Sequence, residues 1–163
     1  MFIAHLPAGY LITCIIKKST RTKGYMWLGL LASILPDLDL LYFYFVDNRN
    51  TNHHDYFMHL PIFWGLLLLY SVCGVHLFSY DKKRAYSVLA IFFTNIFVHM
   101  VMDSYVGYIR WFYPIFYYKV QLIDIPATHD WWVWNFVLHW SFLLELCIVA
   151  LALIVVRKTH VRI

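Results

Sequence analysis

Four stretches of this chain are each long and apolar enough to cross a bilayer, and that leaves few folds open to it. A helix needs about 20 mostly apolar residues to span the hydrocarbon core. Residues 25–46, 59–80, 85–107 and 132–156 reach that length. Lipid offers the backbone no hydrogen-bond partner, so such runs must satisfy their own polar groups as helices. A fifth run, residues 2–16, is shorter and is expected to be a tilted or partly inserted helix. It does not read as a signal peptide, because no basic residue precedes it and no small-residue cleavage site follows. The expected fold is an all-α polytopic membrane bundle of about five membrane helices, the first one short. Residues 1–163 form a single integral membrane domain. Composition agrees: only 13% of residues are charged and 62% are hydrophobic, against roughly 25% charged in ordinary soluble chains. Cys14, Cys73 and Cys147 fall inside apolar runs without C-x-x-C spacing, so they read as packing residues.

The basic residues orient the bundle. Lys17, Lys18, Arg21 and Lys23 lie between the first two runs, Lys82, Lys83 and Arg84 between the third and fourth, and Arg157, Lys158 and Arg162 after the fifth. Lysine and arginine stay in short cytoplasmic loops, and five crossings put all three clusters on one side. Of the 13 basic residues, Arg49, Arg110 and Lys119 are left opposite. The expectation is an outer N-terminus and a cytoplasmic C-terminus. The formal charge of +4 then marks topology, and nucleic acid is not an expected partner. Trp111, Trp131, Trp132, Trp134 and Trp140 gather near the outer boundary, where amphipathic rings prefer to sit.

On this topology the histidines and acids collect at one end. His5 opens the first run; Asp37 and Asp39 lie in the outer half of the second, in L-P-D-L-D; His53, His54 and His59 lead into the third; His99 and Asp103 close the fourth. Ionisable groups at membrane depth are costly and face an interior or a watery cavity. A bound cation would neutralise the carboxylates and engage the imidazole nitrogens. His99 and Asp103, four apart, share a helix face. Asp37 and Asp39 would diverge on a regular helix, but Pro36 disturbs the turn before them. The expected metal ligands are His5, Asp37, Asp39, His54, His59, His99 and Asp103, with Asp37, Asp39 and His53 also placed in the chemistry. Such mixed ligands suit Zn²⁺ first, then Mn²⁺ or Fe²⁺, and seven exceed what one tetrahedral zinc needs, so two ions are expected.

Blander readings apply to each residue. His5 could be an interfacial polar group, Asp37 a cap at a helix break, and His53 a loop residue. Arg110 and Lys119 could hold an anionic headgroup or only anchor the interface. His129 and Asp130 could join them or be exposed loop residues, and His139 and Glu145 read as an interhelical polar contact.

The order A-H-L-P-A-G-Y, L-P-D-L-D, His54-x-x-x-x-His59 and H-M-V-M-D-S, then a tryptophan and Pro114, resembles the YdjM-like inner-membrane metal-dependent hydrolases over roughly residues 3 to 115. That family is in turn similar to zinc-dependent phospholipase C and P1-type nucleases. The resemblance implies a helical fold, a bacterial inner membrane, and ligand roles for His5, Asp37, His54, His59, His99 and Asp103. Asp55 and Met58 stand where the family usually has arginine and threonine. The expected function is hydrolysis of a phosphoester of a lipid or lipid-linked substrate by metal-activated water, with the site facing the periplasm or exterior. Two other readings use the same cluster: a metal or proton transporter, and a non-catalytic assembly protein with a structural metal.

Overall fold

The computed structural model describes residues 3–160; Phe2 and Arg162, which entered the expectations above, lie outside the described residues. Its regular structure is helical, with a long irregular segment at 107–131, and among the described residues the sole β pairing is an isolated bridge between Ile109 and Val120. The helices are α1 (His5–Thr20), α2 (Met26–Ala32), α3 (Asp39–Phe45), α4 (Pro61–Phe78), α5 (Lys82–Val106), α6 (Trp132–Val137) and α7 (Phe142–His160). Short 3-10 turns cover Pro36–Leu38, His53–Asp55 and Phe57–His59.

Local signals place the helix ends. Pro61 opens α4 at a position whose N–H would have no intrahelical partner. Asp81 caps α5, its Oδ1 accepting the Arg84 N–H at 3.0 Å. Arg21 ends α1 in the left-handed conformation, its N–H bonded to the Lys17 carbonyl.

Two helices are long and apolar enough to cross a membrane, α4 with 18 residues and α5 with 25. At 1.5 Å per residue they measure about 27 and about 37 Å. A third crossing arises if Met26–Ala32 and Pro36–Phe45, bent by 53°, count as one span. Pro36 causes the bend: it has no N–H to donate, and Asp37 bonds back to the Ile34 carbonyl instead of to Ser33. The remaining runs differ from expectation. The first forms a 16-residue helix. The run at 132–156 is not continuous but divides into α6 and α7 at 138–141, where His139 Nδ1 bonds the Ser141 hydroxyl at 2.8 Å.

Helix α5 lies at the centre, packed by α1, α2 and α4, and α1 also contacts α2 and α7. Ala32, Trp64, Phe93, Ile96, Met100 and Ile109 form the apolar core. The approach of α1 to α2 depends on small residues. A methyl group on Gly29 would stand 1.9 Å from the Thr13 hydroxyl oxygen, so only glycine lets these two backbones meet. Large apolar side chains such as Leu69, Tyr70, Phe78, Leu143 and Leu153 remain exposed. Water would oppose that surface; lipid tails match it.

Candidate metal centre

Four segments meet where α1 begins, the bend between α2 and α3 lies, α4 starts and α5 ends. His5, His54, His59, His99, Asp39 and Asp103 are all buried there, although each is polar. Burying six such groups in apolar surroundings requires partners for them.

The partners are mutual. His99 Nε2 lies 2.9 Å from Asp103 Oδ2, 3.6 Å from Asp37 Oδ1 and 3.4 Å from His59 Nε2. His59 Nε2 lies 3.5 Å from Asp103 Oδ2 and 3.8 Å from Asp37 Oδ1. These atoms therefore outline a tetrahedron. Around a zinc ion bonded at 2.0–2.1 Å, neighbouring ligand atoms would be about 3.4 Å apart. Five of the six edges are given by those distances, and all four atoms lie within 4.8 Å of one another. The spacing fits a divalent cation.

The far nitrogen of each imidazole is also held. His59 Nδ1 sits 2.6 Å from Asp39 Oδ2, and His99 Nδ1 sits 2.8 Å from the Ser33 carbonyl oxygen. A carbonyl can only accept, so His99 carries its proton on Nδ1 and turns the Nε2 lone pair inward. The Ser33 carbonyl is free for this because the bend at Pro36 withdrew its usual helical donor. Such outer contacts orient metal-binding histidines. Asp39, expected among the ligands, stands behind His59 and holds its ring.

Asp103 reaches in two directions. Its Oδ2 faces His59 and His99, and its Oδ1 lies 3.1 Å from His5 Nε2. The His5 ring stacks on His99 at 3.9 Å. A second group of donors, His53, His54 and His59, adjoins the first. His54 Nε2 lies 4.0 Å from Asp103 Oδ2, and its ring is 4.1 Å from that of half-buried His53. Burial pushes the His54 imidazole down to about 2 and lowers His53 as well, so both are neutral and their nitrogens can bind a cation. A methyl on Gly107, just past α5, would stand 2.4 Å from His54 Cε1. Glycine there lets the chain turn tightly beneath the ring.

The remaining expected residues are dispersed. Arg110 pairs with Asp55 at 3.1 Å, and the Tyr108 hydroxyl donates to the same carboxylate at 2.9 Å. Burial and that bond push the Tyr108 phenol up to about 12. Lys119 stands over the Tyr108 ring at 4.0 Å. These groups form a small cluster next to the loop that carries His54. His129 and Asp130 are exposed instead, and Asn135 Oδ1 accepts the His129 N–H at 2.6 Å to fix a turn before α6. Trp111 leaves the tryptophan belt: half-buried, it donates to the Ser104 hydroxyl at 2.8 Å.

Glu145 makes a polar contact between helices, reaching from α7 to the segment that enters α1. Fully buried in α7, its Oε2 accepts the backbone N–H of Ile3 at 2.6 Å and of Ala4 at 3.1 Å. A carboxylate there favours the positive end of α1 and fixes the residues that lead into His5. It is the only glutamate in the chain, set in an apolar run. That isolation was the one available signal of its importance.

A model of the YdjM inner membrane protein family matches residues 1–161. No curated protein and no solved structure matches the chain.

Proposed function

The chain belongs to the YdjM inner membrane protein family, and from that premise we propose that it is a membrane-embedded metal-dependent hydrolase. Its substrate on this reading is a phosphoester of a lipid or lipid-linked molecule at the outer face of the inner membrane. The observation that carries the reading is the tetrahedral spacing of Asp37, His59, His99 and Asp103, with both imidazoles held from behind. One ion belongs in that group, with zinc the best match to its donors. His53 and His54 offer donors for a second.

A divalent cation there would polarise water and a phosphoryl oxygen. The chain's own residues supply the rest. Asp37 differs from the other three donors: its side chain is 31% exposed, against 0%, 0% and 3% for His59, His99 and Asp103. Solvent reaches the group on the Asp37 side, so water would join the ion there, as a fifth donor or in place of the Asp37 oxygen. With one ion bound, His53, neutral, half-buried and with its ring 5.4 Å from that of His59, is left to take up the proton released by attacking water. Lys119, beside the His54 loop, attracts the phosphate, while Arg110 is held by Asp55 next to it.

Five crossings complete the proposal: α1, the bent α2–α3 pair, α4, α5 and α7, with the N-terminus outside. The exposed rings of Trp131, Trp132, Trp134 and Trp140 support the outer boundary at the level of the metal centre.

Elemental analysis of protein purified without chelator should find bound zinc, manganese or iron, and a lipid panel should yield metal-dependent phosphate or headgroup release. Bound metal with no release from any lipid would favour the structural-metal reading. Metal flux into proteoliposomes would favour transport.

A further inference from the structure

The opposite end of the molecule holds a second polar cavity. Its volume is about 380 Å³, and Arg21, Lys23, Lys83 and Arg84 line it with Thr20, Thr22, Asp81 and Ser87. That volume falls in the roughly 300–1,000 Å³ range of small-ligand sites. It lies where α1 ends and α5 begins, whereas the metal centre lies where α1 begins and α5 ends. The 16 residues of α1 separate them by about 22 Å of helix rise.

Its charge is one-sided. Four cations surround the hollow against a single carboxylate, and Asp81 is already engaged in capping α5. None of the four cations is in an ion pair among the described residues. Arg84 is held in place, its Nε–H donating to the Tyr25 hydroxyl at 3.0 Å and its guanidinium over the Tyr25 ring at 5.6 Å. Thr20 gives its hydroxyl proton to the Ile16 carbonyl at 2.8 Å, so the Thr22 hydroxyl, 2.9 Å away, donates to Thr20 and the two side chains hold each other at the rim. Like charges converging without counter-charge are unfavourable, and a phosphate group would relieve them through charge-assisted bonds.

The depth of the cavity indicates where that phosphate comes from. Trp27, Phe78 and Tyr80, at the same end, are 66%, 84% and 109% exposed. Exposed aromatic rings at the ends of spanning helices belong at headgroup level. We infer that this cavity binds the phosphate of an anionic phospholipid from the leaflet opposite the metal centre. The site is separate from the hydrolytic one and does not depend on the hydrolase reading.

Native mass spectrometry of the protein from nanodiscs of equal phosphatidylglycerol and phosphatidylcholine tests this. Wild type should retain phosphatidylglycerol selectively. K23Q/K83Q should weaken that selectivity by about thirtyfold, since each basic group near a membrane contributes about 1 kcal/mol. K23R/K83R should retain it, which separates charge from folding. K17Q/K18Q removes the same charge from the same end but outside the cavity lining, and should retain it too. Equal loss in K17Q/K18Q would reduce the effect to diffuse surface charge and overturn the site. Displacement of the lipid by millimolar inorganic phosphate would overturn the assignment to a lipid.

Discussion

Helices α4 and α5 are almost equally apolar, with mean hydropathies of 1.7 and 1.8 over their most apolar windows, yet 11% of the first window is buried and 44% of the second. Their buried residues differ in kind as well. In α4 only Pro61 and Trp64 are buried, whereas α5 buries Ser87, Asn95, His99, Asp103 and Ser104 among its apolar residues. In water a helix hides its apolar face; in lipid that face costs nothing to expose, and polar groups are drawn inward. Hydropathy therefore tells that both helices belong in the bilayer. It does not tell which of them carries the chemistry.

The sharpest way to break this contrast is to remove the polar groups of α5. His99→Ala or Asp103→Ala should abolish bound metal and lower phosphate release by about a thousandfold, the scale of several kcal/mol of charge stabilisation. Full turnover in both variants would remove the chemistry from α5. Asp39→Asn tests the support behind His59, and metal affinity should fall by about 10- to 100-fold with helicity unchanged. Unaltered affinity in a metal titration would leave Asp39 without an orienting role.

Acid gives a smaller effect. His54 titrates at 6.5 when unfolded but only at about 2 in the folded chain. Above pH 6.5 neither form is protonated and the stabilities match. As pH falls below 6.5 the unfolded chain alone takes up the proton, so the folded state loses about 1.4 kcal/mol per pH unit from this residue. Thermal unfolding in detergent between pH 7.5 and 5.5 should show the decline, and His54→Gln should flatten it. An unchanged slope in that variant would assign the acid sensitivity elsewhere. Smallest of all, Leu69→Ala on the exposed face of α4 should change stability by no more than about 0.5 kcal/mol. A large loss there would mean that α4 has a protein neighbour.

The sequence revealed which end of each run carried polar groups, because run length and basic clusters are one-dimensional signals. The four-residue step from His99 to Asp103 also put both on one face, as found. Spacing could not tell the roles of Asp37 and Asp39 apart, because the bend at Pro36 decides which carboxylate meets the front of His59 and which meets its back. Arg110 looked available for an anion, but its pairing with Asp55 joins segments 55 residues apart. The division of the last run at 138–141 was equally hidden, since an apolar run does not show where its backbone turns.

Glu145 carries a consequence for how the molecule comes into being. The N–H groups of Ile3 and Ala4, just before the first helix, find their acceptor on the last acidic residue of the sequence. During synthesis α1 is made long before that acceptor exists, so the segment leading into His5 is left unlatched until α7 arrives. The nascent protein thus completes its histidine–aspartate cluster as one of its final steps, and a chain cut short before residue 145 has no latch for the segment that leads into its first histidine.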